Sequence, residues 1–306
     1  MDLIQDLALA RFTVDRAVAV RSNPDWLTDA WQSSETRVLL VREGKVPVTD
    51  DLSIIWVKPE SLSYNVVDFP ESVMLLGIDD DHTYVALLGS SEDLEATAWV
   101  SVRDAGAQMT TRDVGLAVTA TALAAWHLGH IFCHKCAAPT RVQNAGWSRI
   151  CPNDNSTHFP RTEPAMIVAI EDSIGRILLG RRVGWEQSWY STLAGFIEAG
   201  ESCEAAVVRE VFEESGIVVE RESLRYLGSQ PWPFPASLMM GYRGLAVTDQ
   251  ITADQDEMAD VKWFTRKEFE IGCANKTLQL PNPASIAWRL IENWFGEPLH
   301  RSWSRA

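Results

Sequence analysis

One stretch limits this chain more than any other. Residues 195–217 read Gly-Phe-Ile-Glu-Ala-Gly-Glu-Ser-Cys-Glu-Ala-Ala-Val-Val-Arg-Glu-Val-Phe-Glu-Glu-Ser-Gly-Ile: a glycine-bearing loop, a short helix and a glycine stop. Ala205, Val208, Val211 and Phe212 recur at three- and four-residue spacing, which predicts one buried face. Glu210, Glu213 and Glu214 are then expected on the opposite face, within about a turn of one another. Like charges that close are unfavourable unless something positive sits among them. Three such glutamates alone are more often a solvated face than a site. If a cation does answer them, oxygen-only ligands without His or Cys favour Mg²⁺ or Mn²⁺ over Zn²⁺. Gly216 is suited to the left-handed conformation that ends a helix, while Gly195 and Gly200 are expected to let the loop turn sharply near a ligand.

A chain of 306 residues with 46% hydrophobic content can fill two cores. Its net charge is -15, and residues 1–125 hold 20 acidic against 9 basic side chains, so about -11 of that charge lies in the first part. Such a surface repels long nucleic acids and anionic membranes, but not a small anion whose charge is met by bound metal. No apolar run approaches the roughly 18 residues of a membrane span, and Asp2, Asp6, Arg11, Asp15 and Arg16 interrupt the start, so no secretory leader is expected. The five cysteines, 133, 136, 151, 203 and 273, are odd in number with three clustered. That pattern suits a reducing cytoplasm.

Apolar runs at 37–41, 53–57, 73–78, 83–88 and 97–102, parted by Asp79-Asp80-Asp81 and Ser90-Ser91-Glu92-Asp93, predict a meander of strands over residues 1–125. Val114–Leu128 reads as a helix packed on that sheet, giving an N-terminal α/β domain. His82 falls in a hairpin turn and is read as a solvated turn residue. Residues 126–158 form the next module: Cys133-His134-Lys135-Cys136, then Cys151 after fourteen residues. Two thiolates from each of two tight turns make a zinc ribbon, but the second knuckle here lacks a cysteine. Either Asp154 or His158 completes the shell, or the module stands without Zn²⁺. A redox role for Cys-x-x-Cys is disfavoured, since no strand-helix context of that kind surrounds it. From Phe159 to Ala306 strands alternate with helices: 166–170 and 176–180 around a turn at 172–175, then 191–194 leading into the glutamate helix.

Gly195, five residues, Glu201, seven residues, then Arg209-Glu210-Val211-Phe212-Glu213-Glu214-Ser215-Gly216-Ile217 fills every fixed position of the Nudix box. The chain therefore resembles the Nudix hydrolases, which implies an α+β fold with an α/β/α sandwich around a mixed sheet. Downstream, Ser229-Gln230-Pro231-Trp232-Pro233-Phe234-Pro235-Ala236-Ser237 reads as a stiff, extended segment and resembles the array that marks the NAD⁺ diphosphatase (NADH pyrophosphatase) branch. The resemblance spans about Ile131 to Trp294; residues 1–125 match only in position and general character.

The resemblance implies metal-dependent hydrolysis of NADH or NAD⁺ to a nicotinamide mononucleotide and AMP, and removal of NAD caps from RNA 5' ends as a second activity. It assigns metal binding and catalysis to Glu210, Glu213, Glu214 and Glu257, with the Ala194 carbonyl as a further ligand and Asp256 or Asp260 as alternatives to Glu257. Phe159 and Phe196 match an aromatic pair placed around the nicotinamide ring, one from each subunit of a homodimer. Ile167, Ser237, Met239 and Ala287 match substrate-lining positions. Arg209 is expected to pair with Glu201 and hold the loop to the helix. Two other readings stand beside this one: a Nudix enzyme for another nucleoside diphosphate derivative such as ADP-ribose, and a nucleotide-sensing module without catalysis. The intact glutamates disfavour the second.

Overall fold

The structure, a computed structural model, describes residues 3–63, 70–89, 94 and 98–305. They belong to two compact units, one built from the segments Met1–Ala10, Glu163–Pro231 and Ser237–Ala306, the other from Arg11–Thr162 and Trp232–Ala236.

In the first unit the strands run in the order Val219–Trp232, Ser237–Ala246, Glu163–Glu171, Ile177–Arg182 and Met258–Phe264, with Leu193–Phe196 added to Glu163–Glu171. Ser237–Ala246 pairs parallel with Glu163–Glu171, whereas Ile177–Arg182 pairs antiparallel with Met258–Phe264. The sheet is mixed. Successive residues of a strand face opposite sides, and the central strand is apolar on both. Ile167 and Ala169 enter a core with Phe269, Ile286, Ala287, Leu290, Ile291 and Trp294 of the helices Arg266–Ala274 and Ile286–Phe295. Met166, Val168 and Ile170 enter a second core with Ala206, Val207 and Val211 of the helix Cys203–Ser215. Helices thus cover both faces, the expected α/β/α sandwich.

The strand expected from Arg176 begins at Ile177 because Arg176 closes the turn instead, donating its N–H and its Nε to the Asp172 carboxylate at 2.8 and 2.5 Å. The proline-rich segment is also not extended throughout. Residues 229–232 continue one strand, Ser237 opens the next, and the chain turns between them with a cis Phe234–Pro235 bond. Gln230 is fully buried, accepting from Leu9 N–H at 3.4 Å and donating to the Ala284 carbonyl at 2.9 Å. This residue of the array is a pin between the first residues and the turn that leads into the helix Ile286–Phe295.

In the second unit Thr36–Val41 pairs parallel with Thr83–Leu88, which pairs antiparallel with Val73–Ile78. The strand expected at 53–57 makes only isolated pairings at Ile54 and Val57. Lys45–Val48 takes the partner instead, pairing with Ala98–Ser101, and its Pro47 carbonyl accepts from Ile55. The break expected at Ser90–Asp93 and the strand start at Thr97 lie outside the described residues. His82 follows Val73–Ile78 in the turn, its N–H bound to Asp79 at 2.8 Å.

The expected helix extends over Thr111–Gly129, capped by the Thr110 hydroxyl accepting from Asp113 N–H at 3.1 Å. Near its end His127 Nε2 donates to the Gly146 carbonyl at 2.9 Å and Nδ1 accepts from Arg149 Nη1 at 3.0 Å. Burial, aided by the Arg149 charge, holds the His127 pKa down to about 4, so the ring is neutral and its tautomer follows from these partners. Trp147 Nε1 donates to the Leu75 carbonyl at 2.7 Å. The hairpin Arg141–Gln143/Ser148–Ile150 is thereby fastened to both the helix and the sheet. Among the described residues no helix is long and apolar enough to cross a membrane.

Candidate active site and metal centre

The helix Cys203–Ser215 begins where the Ser202 hydroxyl accepts from Ala205 N–H at 3.2 Å and ends at Gly216, whose φ of 70° is the left-handed stop expected. Its buried face is rotated from the expectation. Ala206, Val207 and Val211 are interior, Val208 is half-buried, and Phe212 is 56% exposed. The rotation brings Glu214 inside, at 3% exposure, while Glu213 stays outside. The sheet core, which takes Ala206, Val207 and Val211, sets this face, and beside it Gly195 makes room for a glutamate. This glycine lies in the strand Leu193–Phe196, not in a sharp turn, and a Cβ there would run into the Glu210 carboxyl group. The bare glycine gives Glu210 its place against the strand, one turn before the buried Glu214. Gly200, with φ of 85°, is the residue that makes the loop turn.

Arg209 fixes that loop. Its Nε and Nη2 donate to the Glu201 carboxylate at 2.9 and 2.8 Å, Nη2 also to the Phe196 carbonyl at 3.0 Å, and Nη1 to Glu213 at 2.9 Å, with Glu210 Oε1 at 2.9 Å. The hydrogen bonds from Arg209 hold the Glu201 pKa down to about 2. Glu214 goes the other way. Burial first, then the charges of Glu210 and Glu257, push it up to about 7 against the opposing effect of Arg182. Its Oε2 is buried without a hydrogen-bond partner.

Arg182 closes the group from the sheet side. Nη2 lies 3.4 Å from Glu214 Oε1 and 3.4 Å from Glu257 Oε2, joining carboxylates from distant parts of the chain. A register shift between Arg181 and Arg182 sets this end of the strand, and Val183 N–H donates to the Glu257 carbonyl at 2.8 Å. No pattern in the sequence marks Arg182; only the pairing with Met258–Phe264 brings it here. Of the acidic alternatives, Asp260 is engaged elsewhere, by the Tyr190 hydroxyl and by Lys262 at 2.5 Å, and Asp256 lies in an exposed turn with its N–H on Asp254 at 2.9 Å.

The apolar candidates gather on the other face of the sheet. Ile167 and Ala287 are buried in one cluster, with Ala194 and Met239 packed half-buried against it; Ser237 opens the strand that carries Met239. Phe196 is 58% exposed in this unit, and Phe159, in the other, is 65% exposed.

The oxygen donors fit a hard cation: a buried carboxylate oxygen without a partner, two further carboxylates beside it, and a glycine shaped to admit one of them. In the second unit, Cys133, Cys136, Cys151 and Asp154 place their ligand atoms within 4.8 Å of one another. Cys136 and Cys151 sulfurs are 3.5 Å apart, near the spacing of two thiolates on one tetrahedral ion. The Ser156 hydroxyl and N–H hold Asp154 Oδ1 at 2.6 and 2.9 Å, leaving Oδ2 to the cysteines. His158 is not in this group; its Nε2 pairs with the Ser156 hydroxyl at 3.1 Å. Against burial, which raises it, the N–H groups of Lys135 and Cys136 bring the Cys133 thiol down to about 6, favouring thiolate.

A sandwich that sets helix carboxylates and one distant glutamate near one another at a helix face, with the loop pinned by an arginine, is the construction of a Nudix hydrolase. The NUDIX domain model matches residues 161–288, and the NADH pyrophosphatase zinc ribbon domain model matches residues 130–159. The chain is 35% identical over 307 residues to the NAD-capped RNA hydrolase NudC of Mycobacterium bovis, across 94% of each chain, and 34% identical to the Mycobacterium tuberculosis protein of that name across the same shares. The human NAD-capped RNA hydrolase NUDT12 is 36% identical over 200 residues, 61% of this chain and 43% of that protein. The chain belongs to the Nudix hydrolase family, and it carries the zinc ribbon of the NADH pyrophosphatases.

Proposed function

We propose that this protein hydrolyses the pyrophosphate bond of NADH and NAD⁺ to a nicotinamide mononucleotide and AMP, and that it removes the same dinucleotide from the 5' end of NAD-capped RNA. The observation that carries this reading is the buried Glu214 carboxylate with a partnerless oxygen, its pKa raised by burial and by the charges of Glu210 and Glu257, and joined to Glu257 through Arg182. Glu210, Glu213, Glu214 and Glu257, with the Ala194 carbonyl, would hold Mg²⁺ or Mn²⁺. The cation supplies neutralisation of the phosphate oxygens and acidification of water. Arg209 keeps the helix and loop in register for that arrangement, leaving Glu210 and Glu213 each one charge-assisted contact. Glu213 or Glu214, whichever is not fully committed to the cation, accepts the proton released from the attacking water.

Phe196 and Phe159, both largely exposed, are suited to stack on the nicotinamide ring in a homodimer. Ile167, Ser237, Met239 and Ala287 are assigned to the substrate side of the same unit. The free cysteines fit a cytoplasmic setting, and the cysteine group with Asp154 a structural Zn²⁺. We retain the division into an N-terminal domain over 1–125, a ribbon over 126–158 and the hydrolase domain over 159–306 as the functional one.

The test is steady-state hydrolysis of NADH, NAD⁺ and ADP-ribose with Mg²⁺ or Mn²⁺, products separated by chromatography, on wild type and Glu214→Gln. AMP plus the nicotinamide mononucleotide is expected, with the variant about 10³-fold slower. Turnover of ADP-ribose alone would replace the substrate; binding of all three without turnover would replace the enzyme by a sensor.

A further inference from the structure

Two arginines face the glutamates of the hydrolase unit, and they are held differently. Arg209 is fixed by a fork of contacts between 2.8 and 3.0 Å, and its side chain is 25% exposed. Arg182 reaches Glu214 Oε1 and Glu257 Oε2 through one nitrogen, both at 3.4 Å, and its side chain is 47% exposed. Charge-assisted N–H···O bonds are ordinarily about 2.7–2.9 Å. Arg182 is thus a loosely held charge between two carboxylates, with room on its solvent side. Those carboxylates come from the helix and from the start of the strand Met258–Phe264. A cation bridging them needs the same oxygens.

We propose that Arg182 is a charge clamp on the cation site: it holds Glu214 and Glu257 together, yields their oxygens to an entering divalent cation, and then pairs through its guanidinium with the pyrophosphate oxygens of the substrate. The exchange follows from charge. A divalent ion and a guanidinium on the same two oxygens repel, and the more weakly held, solvent-facing group moves. A pyrophosphate brought to the site supplies new anionic oxygens that suit the planar fork. The clamp rests on the reading of the site as a pyrophosphohydrolase, but its first arm does not require the substrate to be known.

The experiment compares wild type, Arg182→Gln and Arg182→Lys, with the ribbon loaded with zinc. Mn²⁺ alone is titrated against each protein, free ion being read by its electron paramagnetic resonance signal; then KM and kcat for NADH are measured at saturating Mn²⁺. Removing the competing charge should tighten Mn²⁺ binding of Arg182→Gln roughly three- to tenfold, while its KM rises about tenfold and kcat falls less than KM rises. Arg182→Lys keeps the charge and should bind Mn²⁺ as wild type does, with an intermediate KM because the fork is lost. A purely structural arginine would leave Mn²⁺ affinity unchanged or weaker in Arg182→Gln, and that result overturns the clamp. Tighter Mn²⁺ binding with an unchanged KM overturns its second half, the pairing with phosphate. If wild type turns over no dinucleotide, the substrate reading fails, whereas the Mn²⁺ comparison still decides the clamp.

Discussion

The two candidate metal groups are built on opposite principles. In the ribbon, Cys133, Cys136 and Cys151 come from tight turns, and the hairpin between them is fastened to a helix and a sheet, through Arg149 with His127 and through Trp147 with Leu75. Asp154 has one carboxylate oxygen committed to Ser156 and the other turned to the thiols. These four candidate ligand atoms lie within 4.8 Å of one another, the number that suits a structural site. In the sandwich the carboxylates are unequal: Glu214 is buried with a partnerless oxygen, Glu210 is set against a glycine, and Glu213 and Glu257 are exposed. Such a group is costly to keep charged without a cation and leaves positions open to a substrate. A site that holds the fold satisfies its ligands in advance; one that does chemistry leaves a charge unanswered.

This contrast can be broken at its tightest point. Gly195→Ala puts a methyl group where the Glu210 carboxyl sits, so Glu210 must leave the strand and hydrolysis should fall about 10²-fold or more. Circular dichroism and thermal melting should show the fold retained; a variant with near wild-type turnover would remove Glu210's placement from the argument. On the ribbon side, Asp154→Ala should weaken zinc by about 10- to 100-fold and Asp154→Cys should strengthen it, both read by competition with a chromophoric chelator. Equal affinity in all three proteins would mean that Asp154 is not a ligand, and the contrast would lose its closed member.

The mildest effect is on pH. The folded-state pKa of Glu214 is raised to about 7, and a cation needs the ionised form, so Mn²⁺ affinity should rise with pH up to about 7 and then level, by roughly tenfold between pH 6 and 8. In the presence of chelator the sign for stability is the reverse. A carboxyl with a raised pKa gives stability that is complete below about 4.5, its unfolded value, and is lost as pH rises through 7. Thermal melting of wild type and Glu214→Gln across that window should diverge toward higher pH, the variant being the more stable. Parallel curves would show that burial of Glu214 carries no cost.

The sequence by itself determined what depends on short spacing. The helix with its glycine stop, the pairing of Arg209 with Glu201, the turn at Asp172–Gly175 and the two cysteine knuckles all lie within a few residues of their partners, so local geometry settles them. The Nudix family was legible for the same reason: its box is contiguous. Tertiary structure alone decided the rest. The phase of the helix was set by which residues the sheet core takes, Ala206, Val207 and Val211, so Phe212 faces outward and Glu214 inward. That Asp154, and not His158, lies beside the three thiols was visible only in the structure, where Ser156 contacts both. Glu257 met Glu214 through Arg182 because strand register and one irregularity near Arg181 bring together residues far apart in the chain, and no periodicity records such a meeting.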